Sequence, residues 1–217
     1  MPTSSPSPRR TRTRARRGDG ELLRDELLDA AEALLVEHGA MDAVSIRAVA
    51  SAAGVSPPAV YLHFADKDEL FYAVCERRFA DFDGVLAAST EGIADPVEAL
   101  RAMGAAYVRY GVEHATHYQL IFGPRSSELV GDRDVSESAG VQAFGRLVTA
   151  IGAGMDAGVL REQDPWLTAF AVWSACHGAV MIVQAQEGLA PSGFPIPDVD
   201  ALAVAVCDTV LEGLVAR

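Results

Sequence analysis

Residues 45–70 read SIRAVASAAGVSPPAVYLHFADKDEL, and the reading of this stretch decides the fold. Ser45 stands where a helix N-cap belongs, with Ile46, Val49 and Ala50 following at helical spacing. Gly54 ends that short helix, since glycine takes the positive φ of a tight reversal without steric cost. Ser56 caps a second helix, with Pro57 in its first turn, where a missing N–H costs nothing. Tyr61 and Phe64 close it. Asp66 caps a longer helix whose first turn carries Asp68 and Glu69, suited to its dipole. Two short helices joined by a glycine turn have the size and punctuation of a helix-turn-helix, whose second helix enters the major groove. Ile46, Val49, Ala50, Val55 and Val60 are the expected internal core. Arg47, Ser56, Pro57, Ala59, Tyr61 and His63 are left for the outer face.

Outward from this stretch the helical period continues. Leu23, Leu27, Ala30, Ala31, Leu34 and Leu35 predict a helix over 21–38, ended by Gly39. The helix capped by Asp66 runs to about residue 89. Asp95-Pro96 opens a helix to about residue 117, and a short apolar piece covers 118–122. Residues 123–133 read as a loop, 134–157 as a helix ended by Gly158, and 165–187 as a strongly apolar helix. Three prolines and two glycines make 188–197 a loop, and a last helix covers 198–215. No strand is expected. The fold class is all-α, with about nine helices.

Half of the 217 residues are hydrophobic, enough to build a real core. No uninterrupted apolar run has the length of a membrane span, and the arginine-rich start lacks the apolar stretch of a secretory signal. No membrane partner is expected, and the location is expected to be cytoplasmic. Three scattered cysteines, Cys75, Cys176 and Cys207, suggest neither a disulfide framework nor a zinc site; they read as buried apolar groups or, secondarily, as redox-sensing thiols. The net charge of −12 is unevenly spread. Residues 1–20 carry six arginines and a net +5, residues 21–72 a net −7, and the rest a net −10. The basic charge is thus concentrated in a proline- and serine-rich arm expected to be disordered.

Ser45, Arg47, Val49-Ala50, Ala53-Gly54-Val55-Ser56, Val60-Tyr61-Leu62-His63-Phe64, Lys67 and Leu70 together resemble the DNA-binding domain of the TetR family, also called TetR/AcrR. The match covers about residues 21–79. The resemblance implies that Ser45, Ser56, Tyr61 and His63 contact phosphates, and that Arg47 reaches phosphate or a base edge. Pro57, Pro58 and Ala59 lie where bases are discriminated, and Lys67 matches the lysine that anchors the fourth helix to the DNA backbone. Lys67 is also the only lysine beside seventeen arginines, and it sits at a helix N-terminus, where N–H groups favour an anion. Leu62 departs from the family pattern, which favours a polar or basic residue there. Pro57-Pro58-Ala59 offers no side-chain donor to bases, leaving thymine methyl contact or shape readout.

Three parts follow: a basic arm over 1–20, a DNA-binding domain over 21–82 with its motif at 45–64, and a helical ligand-binding and dimerisation domain over 83–217. Trp173-Ser174-Ala175-Cys176-His177-Gly178 resembles the Trp-His-Gly signature of one TetR C-terminal subgroup. Trp166, Phe170, Trp173, His177 and Met181 form a stripe that suits core or dimer interface better than a ligand cage. Met103, Tyr107, Tyr110, His114, Tyr118, Phe122 and Phe144, with Trp173 and His177, are candidates to line a pocket. His114 and His117 lack an evident third ligand, so no metal is expected. No GxSxG, HExxH, GxGxxG or P-loop pattern occurs, so no catalytic residue and no cofactor are expected and the protein reads as no enzyme. The resemblance implies a homodimer paired through its last two helices, bound to a palindromic operator in double-stranded DNA and released by a small apolar or amphipathic effector. A bacterial activator or co-regulator without a ligand is the alternative.

Overall fold

The structure, a computed structural model, describes residues 19–187 and 198–216. The arginine arm and the loop expected over 188–197 lie outside the described residues. Among those described there are ten α-helices, one short 3-10 turn and no strand, as an all-α chain requires. The chain divides into two compact units between Ala65 and Asp66.

The described part of the first unit, 19–65, holds α1 (Asp19–His38), the 3-10 turn Met41–Ala43, α2 (Ile46–Ala52) and α3 (Pro57–Val60). Leu27 and Ala31 of α1 are wholly buried, as are Val49 and Ala50 of α2 and Val60 of α3. One long and two short helices can share one core here because each buries only one stripe.

The second unit holds α4 (Lys67–Ser89), α5 (Pro96–Glu113), α6 (Ala115–Phe122), α7 (Pro124–Val130), α8 (Ala139–Asp156), α9 (Pro165–Glu187) and α10 (Val199–Leu214). Helix α5 is the central element, packed against α4, α8, α9 and α10. Leu100, Ile151, Val172 and Leu211, one from each of α5, α8, α9 and α10, meet in its core. The second unit begins at Asp66, and α4 packs along α8, α5, α7 and α6. Helix α9 is long and apolar enough to cross a membrane by those criteria, with mean hydropathy 1.6 over residues 165–185. Its packing against α5, α8 and α10 gives that apolar character a different use.

Three segment boundaries differ from the sequence reading. The helix expected over 96–117 breaks at His114, whose φ of −117° and ψ of 47° leave the helical region. The ladder restarts when His114 C=O accepts from Tyr118 N–H, and the redirected α6 buries Tyr118 completely. The expected loop 123–133 contains α7, which accounts for the tenth helix; Pro124 opens it and Leu129 buries its inner side. The helix expected from 134 begins at Ala139, because Ser138 caps it and the Glu76 carboxylate accepts the Ala139 N–H at 3.0 Å.

Candidate functional site

The candidate reading head is built on the turn between α2 and α3. Ser45 caps α2 by accepting the Ala48 N–H at 3.2 Å. Gly54, at φ 68°, reverses the chain, while Val55 N–H reaches back to Ala50 C=O and Gly54 N–H to Ser51 C=O. This paired bonding is the Schellman closure, and its left-handed residue is the one place in the turn that needs glycine. Ser56 occupies the cap position of α3, with extended backbone, but its hydroxyl makes no cap bond there. Val60 and Phe64 anchor the end of α3 in the core, at 0% and 1% exposed.

That anchoring fixes what remains outside. Ser45, Arg47, Ser56, Pro58 and Tyr61 are exposed, and Pro57, Ala59 and His63 are half-buried. The Ser45 hydroxyl keeps its own hydrogen to donate after capping. Leu62, set apart in the sequence only as a departure, is 84% exposed beside Tyr61. Arg24 was not singled out by the sequence reading; its guanidinium stands 5.1 Å from the centre of the Phe64 ring. Within the second unit, Asp66 accepts the Glu69 N–H to start α4, and Lys67 is half-buried with Nζ 5.9 Å from the Phe71 ring centre.

The second unit contains a cavity of about 460 Å³ walled by α4, α5, α6, α8 and α9. Of the sequence candidates, Met103, Tyr107, Phe122, Phe144 and Trp173 line it. Tyr110, His114, Tyr118 and His177 do not: Tyr110 is buried 5.0 Å from the Phe82 ring, and His114 is exposed at the α5–α6 break. The sequence reading missed the contribution of α4, where Phe79, Phe82 and Leu86 face the cavity at helical spacing. Trp166 and Phe170, read as core or interface, also reach it, and the Phe144 and Phe170 rings lie 4.7 Å apart.

One end of the cavity wall is polar but saturated. Trp173 Nε1–H donates to Tyr107 Oη at 2.9 Å. Tyr107 Oη lies 2.8 Å from Tyr118 Oη, which lies 2.6 Å from His177 Nδ1. Indole is a donor only, so Tyr107 Oη accepts from Trp173. Tyr107 Oη also lies 3.3 Å from His177 Nδ1, and the two phenols and the imidazole close one cluster in which either phenol can donate to the other. Burial pushes both phenols above their ordinary value, and desolvation pushes His177 below its own, so all three are neutral at neutral pH. No charged side chain lines the cavity, which suits an apolar occupant.

Comparison with known proteins places both units. Residues 27–74 match the family model described as bacterial regulatory proteins, tetR family, and residues 100–210 match a tetracyclin repressor-like C-terminal domain. The HTH-type transcriptional activator FasR of Mycolicibacterium smegmatis is 36% identical over 100 residues, which are 46% of this chain and 45% of that protein. The chain thus matches under half the length of that curated relative. A solved structure of a protein of unknown function from Rhodococcus sp. RHA1 is 28% identical with a TM-score of 0.75, covering 89% of this chain and 96% of that one. SmeT, the repressor of the Stenotrophomonas maltophilia multidrug efflux pump SmeDEF, is 26% identical with a TM-score of 0.61, covering 92% and 93%.

Proposed function

The chain belongs to the tetR family of bacterial regulatory proteins, and from that premise we propose that it is a ligand-released transcriptional repressor. The observation that carries this reading is the apolar cavity whose wall includes Phe79, Phe82 and Leu86. They lie on α4, the helix that follows the recognition helix directly in the chain. An occupant that favours one position of α4 over another shifts the population that fits DNA, by no more than its difference in affinity for the two. Ser45, Ser56, Tyr61, His63 and Lys67 hold phosphates, Arg47 reaches phosphate or base, and Pro57-Pro58-Ala59 meets base edges. The arginine arm supplies attraction that the acidic head lacks.

The DNA-bound form is a homodimer. On α9 the exposed Leu167, Phe170 and Ile182, with Val204 on α10, form an apolar face that suits a second copy of the chain. A two-fold dimer suits a palindromic operator, whose half-sites lie one helical turn, about 34 Å, apart. The relative named as an activator supports a second reading, in which the same head serves an activator or co-regulator that answers to no small-molecule ligand. Anisotropy of an operator fragment selected from genomic DNA, titrated with Nile red as a cavity probe, tests the release step. Release at saturating dye is expected; unchanged affinity with the dye bound would favour the second reading.

A further inference from the structure

Cys176 on α9 and Cys207 on α10 are buried together, at 4% and 5% exposed. Both sulfurs crowd the same point on α5: a Cβ placed on Gly104 would lie 2.5 Å from Cys207 Sγ and 3.6 Å from Cys176 Sγ. A Cβ at position 104 would make the Cys207 thiol move aside. Cys176 also lines the cavity, so whatever enters that space reaches one member of the pair.

We propose that Cys176 and Cys207 are a hydroperoxide-responsive dithiol, which closes to a disulfide joining α9 to α10. The two thiols differ in a useful sense. A hydrogen bond with Cys176 holds Cys207 below the ordinary thiol value against burial, and the Arg101 guanidinium adds to this, although Arg101 also pairs with Asp208 and Glu98. The same bond, with burial, pushes Cys176 up. Cys207, whose chain neighbour Asp208 pairs with the Arg101 guanidinium, is assigned the attacking role, and Cys176, on the cavity wall, the resolving role. Cys207 sulfur attacks the distal peroxide oxygen; the O–O bond breaks, giving a sulfenic acid and releasing water or an alcohol. Cys176 sulfur then attacks the sulfenic sulfur and its oxygen leaves as water. The dithiol loses two electrons and two protons, and the peroxide takes both. Cys75 is an internal control: burial pushes it up to about 12 and its thiol bonds Leu120 C=O at 3.6 Å.

The site is independent of the DNA-binding reading and is tested without DNA. The full chain is treated with hydrogen peroxide in one arm and cumene hydroperoxide in the other, under native conditions. Free thiols are counted and the unreduced digest is mapped by mass spectrometry. Two of the three thiols should be lost, with a peptide joining Cys176 to Cys207 within one chain and Cys75 intact. The faster arm identifies the oxidant, the organic peroxide if entry is through the apolar cavity. Cys176→Ala should leave a sulfenic acid at Cys207 that dimedone traps, and Cys207→Ala should leave Cys176 unreactive. Retention of all three thiols, loss of Cys75 alongside the others, or links only between chains would overturn the proposal. The wild-type map decides even if a variant fails to fold.

Discussion

Arg146 on α8 grips Asp83 on α4 through two parallel bonds, Nε to Oδ1 and Nη2 to Oδ2, each 2.7 Å long. The pair bridges two helices that both wall the cavity, since Phe82 and Leu147 are the chain neighbours of its members. Asp83 holds the guanidinium above its ordinary value through this hydrogen bond. The Arg146 side chain is 38% exposed, so solvent screening discounts the bridge to about 1 kcal/mol. Arg146→Met keeps the apolar stem and removes the fork. Its Tm should fall by about 2–4 °C, with a smaller fall at high salt. An unchanged Tm would deny the bridge any structural weight.

Gly54→Ala forces a Cβ into a residue held at φ 68°. The left-handed region costs a non-glycine residue about 1–2 kcal/mol, and the α2–α3 turn must carry that cost. DNA affinity should drop while dye binding in the second unit stays level. Loss of both together would indicate general unfolding instead.

The burial of the His177 ring against Tyr118 makes stability depend on pH. Desolvation holds folded His177 below its ordinary value of 6.5. Above that value the ring is neutral in folded and unfolded chains alike, and its contribution is fully present. As pH falls below 6.5 the unfolded chain takes up a proton that the folded chain refuses, and stability is lost until the folded value is passed. His177→Asn keeps an acceptor for Tyr118 but cannot titrate. Its Tm should decline less than wild type between neutral pH and about pH 5. Parallel curves would remove His177 as the source.

Ala143 lines the cavity at 5% exposed. Ala143→Leu places three more carbons into the space with no new polar group. Nile red affinity should fall about tenfold, or 1.4 kcal/mol, with no loss of Tm. A destabilised variant with undiminished dye binding would mean that the side chain points into packed core.

The reading head was legible in the sequence because its instructions are local. Ser45, Gly54 and Asp66 each act on residues within five positions, through caps and one left-handed turn. Ser56 was legible as a position but not as a cap bond. The break at His114 was hidden because the apolar period continues across it, and only the packing of Tyr118 shows why the chain turns. Helix α7 was hidden by Gly123-Pro124, which reads equally well as loop or as helix start. The cavity was half legible: helical spacing selects a buried face, but not which buried side chains meet empty space. Tyr107 lines the cavity and Tyr110, one turn on and equally buried, does not. The polar chain from Trp173 to His177 joins residues up to 70 positions apart and left no mark in the local pattern.

The central claim is most directly tested by the salt dependence of binding to genomic fragments retained by the full chain, compared with Lys67→Ala. The wild type should retain discrete fragments, with log affinity falling linearly in log salt. Lys67→Ala should weaken all fragments evenly and reduce the slope by about one. Failure to retain any specific fragment at low salt would contradict the assignment of 45–64 as a DNA-reading head.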